Sequence, residues 1–360
     1  MQWHEMNHEQ VEGSVVARDL AATWDGALFH RLGAAGLLGL AAPREHGGAG
    51  ATAQALCAAM AGFGAGGSDA GLALAWAAHT LGCMAPIARL GSEAQRRRHL
   101  PGLCAGERVG GWAHDDHTDA PTRASRRAGG WRLDGRKVRV VNAPVGGLFV
   151  VTAITGETRS AFLVGRDTPG LSIGPRMATS GMRTATISAL VLEGCEVDEQ
   201  DLLGPEGAGG ATFRLVQRWE RGCMLAPWLG LLRGALARSV LHARAHREYG
   251  VALAQSQSLR ARLADMRIRL ELCERLLARA AWQLDHQGED ADRDLAVARL
   301  FVGEGVTAIV RAAAEICAPQ ALELGHPLER LLRDLPLVGL LGVRDDVLRS
   351  SIAGALLGLG

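Results

Sequence analysis

The chain has 360 residues, enough for more than one packed unit. Its 39 lysines and arginines nearly cancel 38 aspartates and glutamates, and no basic stripe is interleaved with aromatics, which argues against nucleic acid as a partner. Seven cysteines stand singly, with no C-x-x-C pair and no zinc spacing, as expected of reduced thiols in a cytoplasmic protein.

In chain order, the start "MQWHEMNHEQVEG" is polar and lacks the layout of a secretory signal, and no uncharged apolar run approaches membrane-spanning length. A soluble protein is expected. From about Val15 to Leu103 apolar residues recur at helical spacing, broken at "GLLGLAAPREHGGAG" and "GFGAGGSDAG", which predicts a helical domain over residues 1–107. The texture then changes. "GGWRLDGRKVRVVNAP" carries an Asp134-Gly135 hairpin signal between alternating runs, and "GLFVVTAI", "SAFLVGR", "GLSIGPR" and "ISALVLEGCEV" follow. These predict a barrel-like antiparallel sheet domain over residues 108–207. After "LLGPEGAGG" helical periodicity returns near 211–246, 255–286, 291–317 and 327–357, lengths that suit a four-helix bundle over residues 208–360. The expected class is α+β in three domains.

One acid stands out. In "LVQRWERGCMLAPWLG" (Leu215 to Gly230) a helical projection sets Glu220 amid Phe213, Val216, Met224 and Pro227, whereas Arg214, Arg218 and Arg221 occupy another side. A carboxylate on an apolar face is either paired across a helix interface or kept under-solvated as a general base. In the loop "WAHDDHTDA", His114 and His117 read as solvated surface residues, since no third ligand lies nearby.

The order of helices, sheet and helices, with its wording, resembles the acyl-CoA dehydrogenase family over nearly the whole chain. The similar strings are "LGAAGLLGLAAPREHGGAGAT", "LGSEAQRRRHLPGLCAGERVGG", "DGRKVRVVNA", "TPGLSIGP", "SGMRTATISALVLEGCEVDEQDLLG" and "HARAHREYGVALAQSQSLRARLADM". The resemblance implies FAD and an acyl thioester substrate, from which a carboxylate takes the α-proton while the β-hydrogen leaves as hydride. Most members place that base shortly after an Arg-Asp pair. Counted from Arg333-Asp334 the position is Gly342, and Asp345 and Asp346 fall where a last helix begins, as capping and dipole-complementing residues. A minority, similar to the branched-chain and long-chain dehydrogenases, carries the base in a Glu-Arg pair. Aligned on Gly230, that base is Glu220, followed by Arg221 as a substrate-binding residue.

The same resemblance implies flavin-side positions at Trp112, Ala113 and Thr118, with a hydroxyl lost at Ala113. Arg139 and Val141 would share the strand face that looks at the isoalloxazine, the alternative being that Arg139 is an exposed edge-strand residue. His246, flanked by Arg244 and Arg247, stands at the diphosphate position, with Tyr249 and Gln257 beyond it; Gln257 would precede the next helix. The loop that a neighbouring subunit lends to the adenosine half reads "EICAPQAL", where Glu315 replaces Gln and Pro319 and Ala321 replace glycines.

The implied function is a FAD-dependent dehydrogenase of an acyl-CoA or acyl-carrier-protein substrate. The expected assembly is a homodimer or tetramer, or a heteromer with a homologue, because "LPLVGLLGV" has more apolar surface than a small bundle hides. Two alternatives stay open: a redox-silent or flavin-poor partner subunit, and a non-redox acyl-thioester enzyme on the same fold.

Overall fold

The structure, a computed structural model, describes residues 8–67, 69–288, 290–339 and 342–358. The N-terminal part is helical: α1 (His8–Ala21), α2 (Gly26–Ala34), α3 (Ala53–Gly67), α4 (Ala70–Ala77), α5 (Ala85–Leu90) and α6 (Glu93–Cys104). Short polar residues start these helices. Asp25 and Asp69 accept from the amides of Leu28 and Leu72, and Ser92 with Gln95 forms a reciprocal capping box. The Gln95 amide also donates to the carbonyls of Gln200 and Leu202, at 2.8 and 2.9 Å, so one cap fastens the helices to the sheet. A π-helical stretch, Ala78–Met84, joins α4 to α5, making Ala70–Leu90 a continuous apolar rod of 21 residues. It does reach membrane-spanning length, contrary to the sequence reading, because Arg89 interrupts it only at its end; the rod is buried inside the protein.

The middle part is one 8-stranded sheet of β1 (Gly110–Ala113), β2 (Arg123–Arg127), β3 (Gly130–Val141), β4 (Leu148–Thr155), β5 (Thr158–Gly165), β6 (Leu171–Ile173), β7 (Ile187–Asp198) and β8 (Leu202–Leu203). The order is β6-β7-β3-β2-β4-β5-β8, with β1 alongside β4. It is not purely antiparallel, since β1 runs parallel to β4 and β2 meets β4 in parallel at Arg123 and Ile154. β4 is apolar on both faces: Phe149 and Val151 join Trp131, Phe162 and Leu190 on one side, whereas Leu148 and Val150 meet Ile87, Leu100 and Val216 on the helical side. Asp134-Gly135 is not a hairpin turn. It forms a bulge inside β3, where the register against β7 shifts and Gly135 has φ +143°, and the turn falls at Ala128-Gly129. The dipeptide supplies the backbone freedom that turns and bulges both need.

The C-terminal part holds α7 (Gly209–Cys223), α8 (Ala226–Ala245), a small hairpin of β9 (Arg247–Glu248) and β10 (Val251–Ala252), α9 (Gln257–His286), α10 (Ala291–Ile316), α11 (Pro327–Val338) and α12 (Asp345–Leu357). Two of the four expected long helices are therefore broken. The 211–246 segment divides at Met224-Leu225, where Pro227 fits the first turn of α8 but not the interior of a longer helix. The 327–357 segment divides between Val338 and Asp345. Within "LPLVGLLGV", Leu335, Val338 and Val343 are buried, and Leu340 and Leu341 lie outside the described residues. Exposed apolar side chains lie instead on α12, at Val347, Leu356 and Leu357, and near Leu322 and Leu324.

One apolar core serves both helical parts: Phe29, Leu56, Met60 and Trp76 pack with Trp219, Leu225, Trp228, Leu270, Val306 and Leu331. At its rim, Arg333 of α11 pairs with Asp19 of α1, Arg18 pairs with Asp69 at 3.0 Å, and the Met182 amide donates to Asp334. Burial pushes the Asp334 carboxyl up to about 7 despite that hydrogen bond. All seven cysteines are buried and unbonded.

α3 and α8 touch backbone to backbone. A Cβ on Gly64 would stand 1.9 Å from the Pro227 carbonyl oxygen, and one on Gly230 would stand 2.1 Å from that of Ala61. Gly230→Ala is therefore expected to cost about 1–3 kcal/mol by overpacking, read as a lower urea midpoint with an unchanged m-value; an unchanged midpoint would show that this crossing tolerates a methyl group.

Candidate active site

Helix α7 buries Thr212, Val216, Trp219, Gly222 and Cys223. Glu220 borders this stripe rather than lying in its middle, because the helix ends before Met224 and Pro227 can extend the predicted face. The residue keeps some solvent-accessible surface, yet its carboxyl is densely surrounded by protein. The residue is thus shielded at its carboxyl while part of it stays accessible. Burial pushes the Glu220 carboxyl up to about 7, opposed by the positive charges of Arg299 and Arg221 and assisted by Asp115.

The two base positions implied by the sequence meet in space. A Cβ built on Gly342 would lie 3.2 Å from Oε2 of Glu220, and Gly342 has φ +69°, a conformation that disfavours side chains. The glycine therefore leaves room where the carboxylate of α7 reaches in. Asp345 and Asp346 lie in the first turn of α12, as expected of dipole-complementing acids, although the N-cap is Arg344, which pairs with Asp346.

Arg221 is engaged mainly by other groups. Its guanidinium donates to Gln217 at 3.3 Å and feels Asp292 before Glu220. A buried cation that the sequence reading missed takes its place: Arg299 of α10 is 2% exposed and lies within the field of Glu220. One apolar-flanked arginine in a chain rich in arginine gives no signal of this in the sequence.

Around the end of β1, Trp112 packs in the helix–sheet interface and Ala113 is wholly buried, so these two have main chain rather than side chain to offer outward. His114 is not a solvated surface residue. Its ring stacks on Trp112, with centroids 5.2 Å apart, and leans on Phe213 of α7, and burial lowers its pKa. Thr118 is exposed in a turn. The loop between is clamped from below: buried Lys137 donates to Asp116 at 2.6 Å and to the His114 carbonyl at 3.2 Å, and burial pulls this ammonium down to about 8.

Arg139 and Val141 do not share a face as strand alternation predicted. A second bulge, between Lys137 and Val140, puts Arg139 at φ +51° and 65% exposed, where it pairs with Asp115 at 2.9 Å. Val141 packs against the helical core. Asp115 thus links Arg139 electrostatically to the neighbourhood of Glu220.

A second group forms where α8 ends. His246 stacks on His242, with centroids 3.8 Å apart, and its Nε2 lies 3.5 Å from Nε2 of Gln320. The segment at the diphosphate position and the loop that the resemblance assigned to a neighbouring subunit are therefore adjacent within this chain. Tyr249, at φ +48°, is fully exposed, and Gln257 is exposed as the first residue of α9, not ahead of it. Among the described residues no contact links this group to Glu220.

Family models describing the N-terminal, middle and C-terminal domains of acyl-CoA dehydrogenases match residues 4–107, 112–195 and 209–357. The chain belongs to the acyl-CoA dehydrogenase family. Among relatives of this acyl-CoA dehydrogenase-family chain, an L-prolyl-[peptidyl-carrier protein] dehydrogenase of Pseudomonas fluorescens is 35% identical over 314 residues, covering 84% of this chain and 82% of that protein. A solved structure described as PigA with FAD and proline superposes with a TM-score of 0.92 at 27% identity, covering 98% of this chain and 96% of that one. The prolyl acyl carrier protein oxidase AnaB superposes with a TM-score of 0.89 at 27% identity, covering 98% and 99%.

Gly342→Ala would set a methyl group 3.2 Å from the Glu220 carboxylate and further exclude water. The midpoint of the Glu220 titration, followed as the infrared carboxyl band that Glu220→Gln removes, is expected to move upward from about 7. A downward move would mean that the turn had opened and admitted water.

Proposed function

We propose that this chain is a FAD-dependent dehydrogenase of acyl thioesters, with Glu220 as the base that removes the α-proton. The carrying observation is the Glu220 carboxyl: surrounded by protein on a residue that keeps some accessible surface, bordered by Gly342 and pushed up to about 7 by burial. A base for so weak a carbon acid must be reachable by substrate, poorly hydrated and ionised near neutral pH. The carrier-protein substrates named for the relatives favour a thioester tethered to a carrier protein over coenzyme A, with an α-amino-acyl group such as prolyl.

The residues fit a flavin dinucleotide by their chemistry. Arg244, His246 and Arg247 give cationic groups for a diphosphate at the end of α8, and the end of β1 at Trp112 and Ala113, with Thr118, gives polar groups for the ring system. Val141, Tyr249 and Gln257 are assigned with them, and Arg139 stands at the rim. When bound, FAD accepts the β-hydrogen as hydride. Glu220 takes the α-proton on its carboxylate oxygen, the two C–H bonds give way to one C=C bond, and the protonated acid later releases its proton to solvent. Arg221 remains assigned to the substrate side, acting on Glu220 through its charge. The expected assembly is a homodimer or tetramer.

One observation favours a second reading, that of a flavin-poor partner subunit. Pro319 and Ala321 occupy the loop beside His246, with Ala321 fully buried, where glycines would let a ligand approach closely. The visible spectrum of the purified chain separates the two: bound flavin supports the dehydrogenase, and flavin only on co-expression with a homologue supports the partner subunit.

Glu220→Gln is expected to lower thioester oxidation by roughly 10²–10⁴-fold. Only the ionised carboxyl accepts a proton, so the wild-type rate should rise with pH through about 7 and then level. Stability moves the other way. The folded pKa lies above the ordinary glutamate value of 4.5, so the stabilisation from protonated Glu220 is full at low pH and is lost as pH rises from 4.5 through about 7. Glu220→Gln should therefore melt higher than wild type at about pH 8, an advantage that vanishes in acid. Full activity in that variant ends the assignment.

A further inference from the structure

We propose that Arg299 is a positioning residue for Glu220, anchoring Val338 at the end of α11 on the same helix that packs against Val343, so that Gly342 borders the carboxylate. The inference rests on the reading of Glu220 as the base. Arg299 donates through Nη2 to the carbonyl of Val338, the last residue of α11, at 2.8 Å. One turn earlier on the same helix, Ala296 packs with Val343 and Leu348 in a small cluster of its own. α10 therefore grips the connection on both sides of Gly342, at Val338 before it and at Val343 after it.

The berth for the guanidinium is built into the helix. A Cβ on Gly303, one turn beyond, would stand 2.8 Å from Nη1 of Arg299, so glycine there leaves the cation its room. A guanidinium is costly to bury, and this one is 2% exposed, hydrogen-bonded to the α11 carbonyl and within electrostatic range of Asp345 at the start of α12 and of Glu220. Its fixed charge favours the ionised form of Glu220, while its hydrogen bond fixes the backbone that limits water around the same group. The charged groups acting on Glu220 are Arg299 from α10, Arg221 from its own helix and Asp115 from the loop after β1; Asp345 of α12 acts on Arg299 in turn.

The test is the pH–rate profile of thioester oxidation by the flavin-loaded enzyme. Arg299→Met should shift the acidic limb upward by about one pH unit, so that the rate falls about fivefold at pH 7, about tenfold well below it, and recovers in alkali. Arg299→Lys, which keeps a cation and a donor, should restore most of the limb. Asp345→Asn, which leaves the Arg299 charge less compensated, should move the limb in the opposite direction, and it decides the matter if Arg299→Met does not fold. An unmoved limb in these variants, or a loss equal at every pH, overturns the role of Arg299. Glu220→Gln run in parallel separates the two ideas: if it stays active, the base assignment itself fails; if it is inactive while the limb stays put, only the positioning role is lost.

Discussion

The low hydration of the Glu220 carboxyl depends on elements drawn from distant parts of the chain. α7 supplies the acid, the turn ahead of α12 supplies a glycine with no side chain to obstruct it, and α10 backs both. None of these could shield the group alone. A helix-borne acid at the edge of an apolar stripe would ordinarily turn outward to water; here the surrounding protein shields the carboxyl while part of the residue stays accessible. Accessibility without bulk hydration is what lets one carboxyl be both raised in pKa and reachable.

The local charges are balanced rather than uniform. Arg299 and Arg221 favour the anion, whereas Asp115 opposes it and is itself engaged by Arg139. Arg139 thereby gains a partner at the surface instead of occupying the space beside Ala113 and Val141. The loop between β1 and β2 is then fixed from two directions, by Lys137 beneath it and by Phe213 of α7 against His114. Sheet and helices thus meet through this loop.

The succession of helices, sheet and helices was legible because its periodicities are strong, and Glu220 was legible because an acid at that place in an apolar stripe is unusual. The details that failed are those in which one local signal serves two structures. Asp134-Gly135 codes for a bulge as readily as for a turn, and Pro227, read inside one long helix, belongs to the first turn of a new one. Alternation over Arg139 to Val141 misled because a bulge removes the period on which it relies. Other features have no local signal at all. The contact of Gly342 with Glu220, the burial of Arg299 and the stacking of His114 on Trp112 arise only when segments far apart in sequence are packed together. The substitutions at Pro319 and Ala321 were visible, but not that their loop adjoins His246.

The helices before and after the sheet share one core, so in spatial terms the sheet is a long excursion from a single helical body. Contacts such as Cys57 with Gly222 and Arg333 with Asp19 join residues 165 and 314 positions apart, and the entropy of closing such loops must be met before their burial is gained. Assembly of the protein therefore waits on its last third, and a nascent chain halted after the sheet would present a broad sticky surface, a natural target for a holdase.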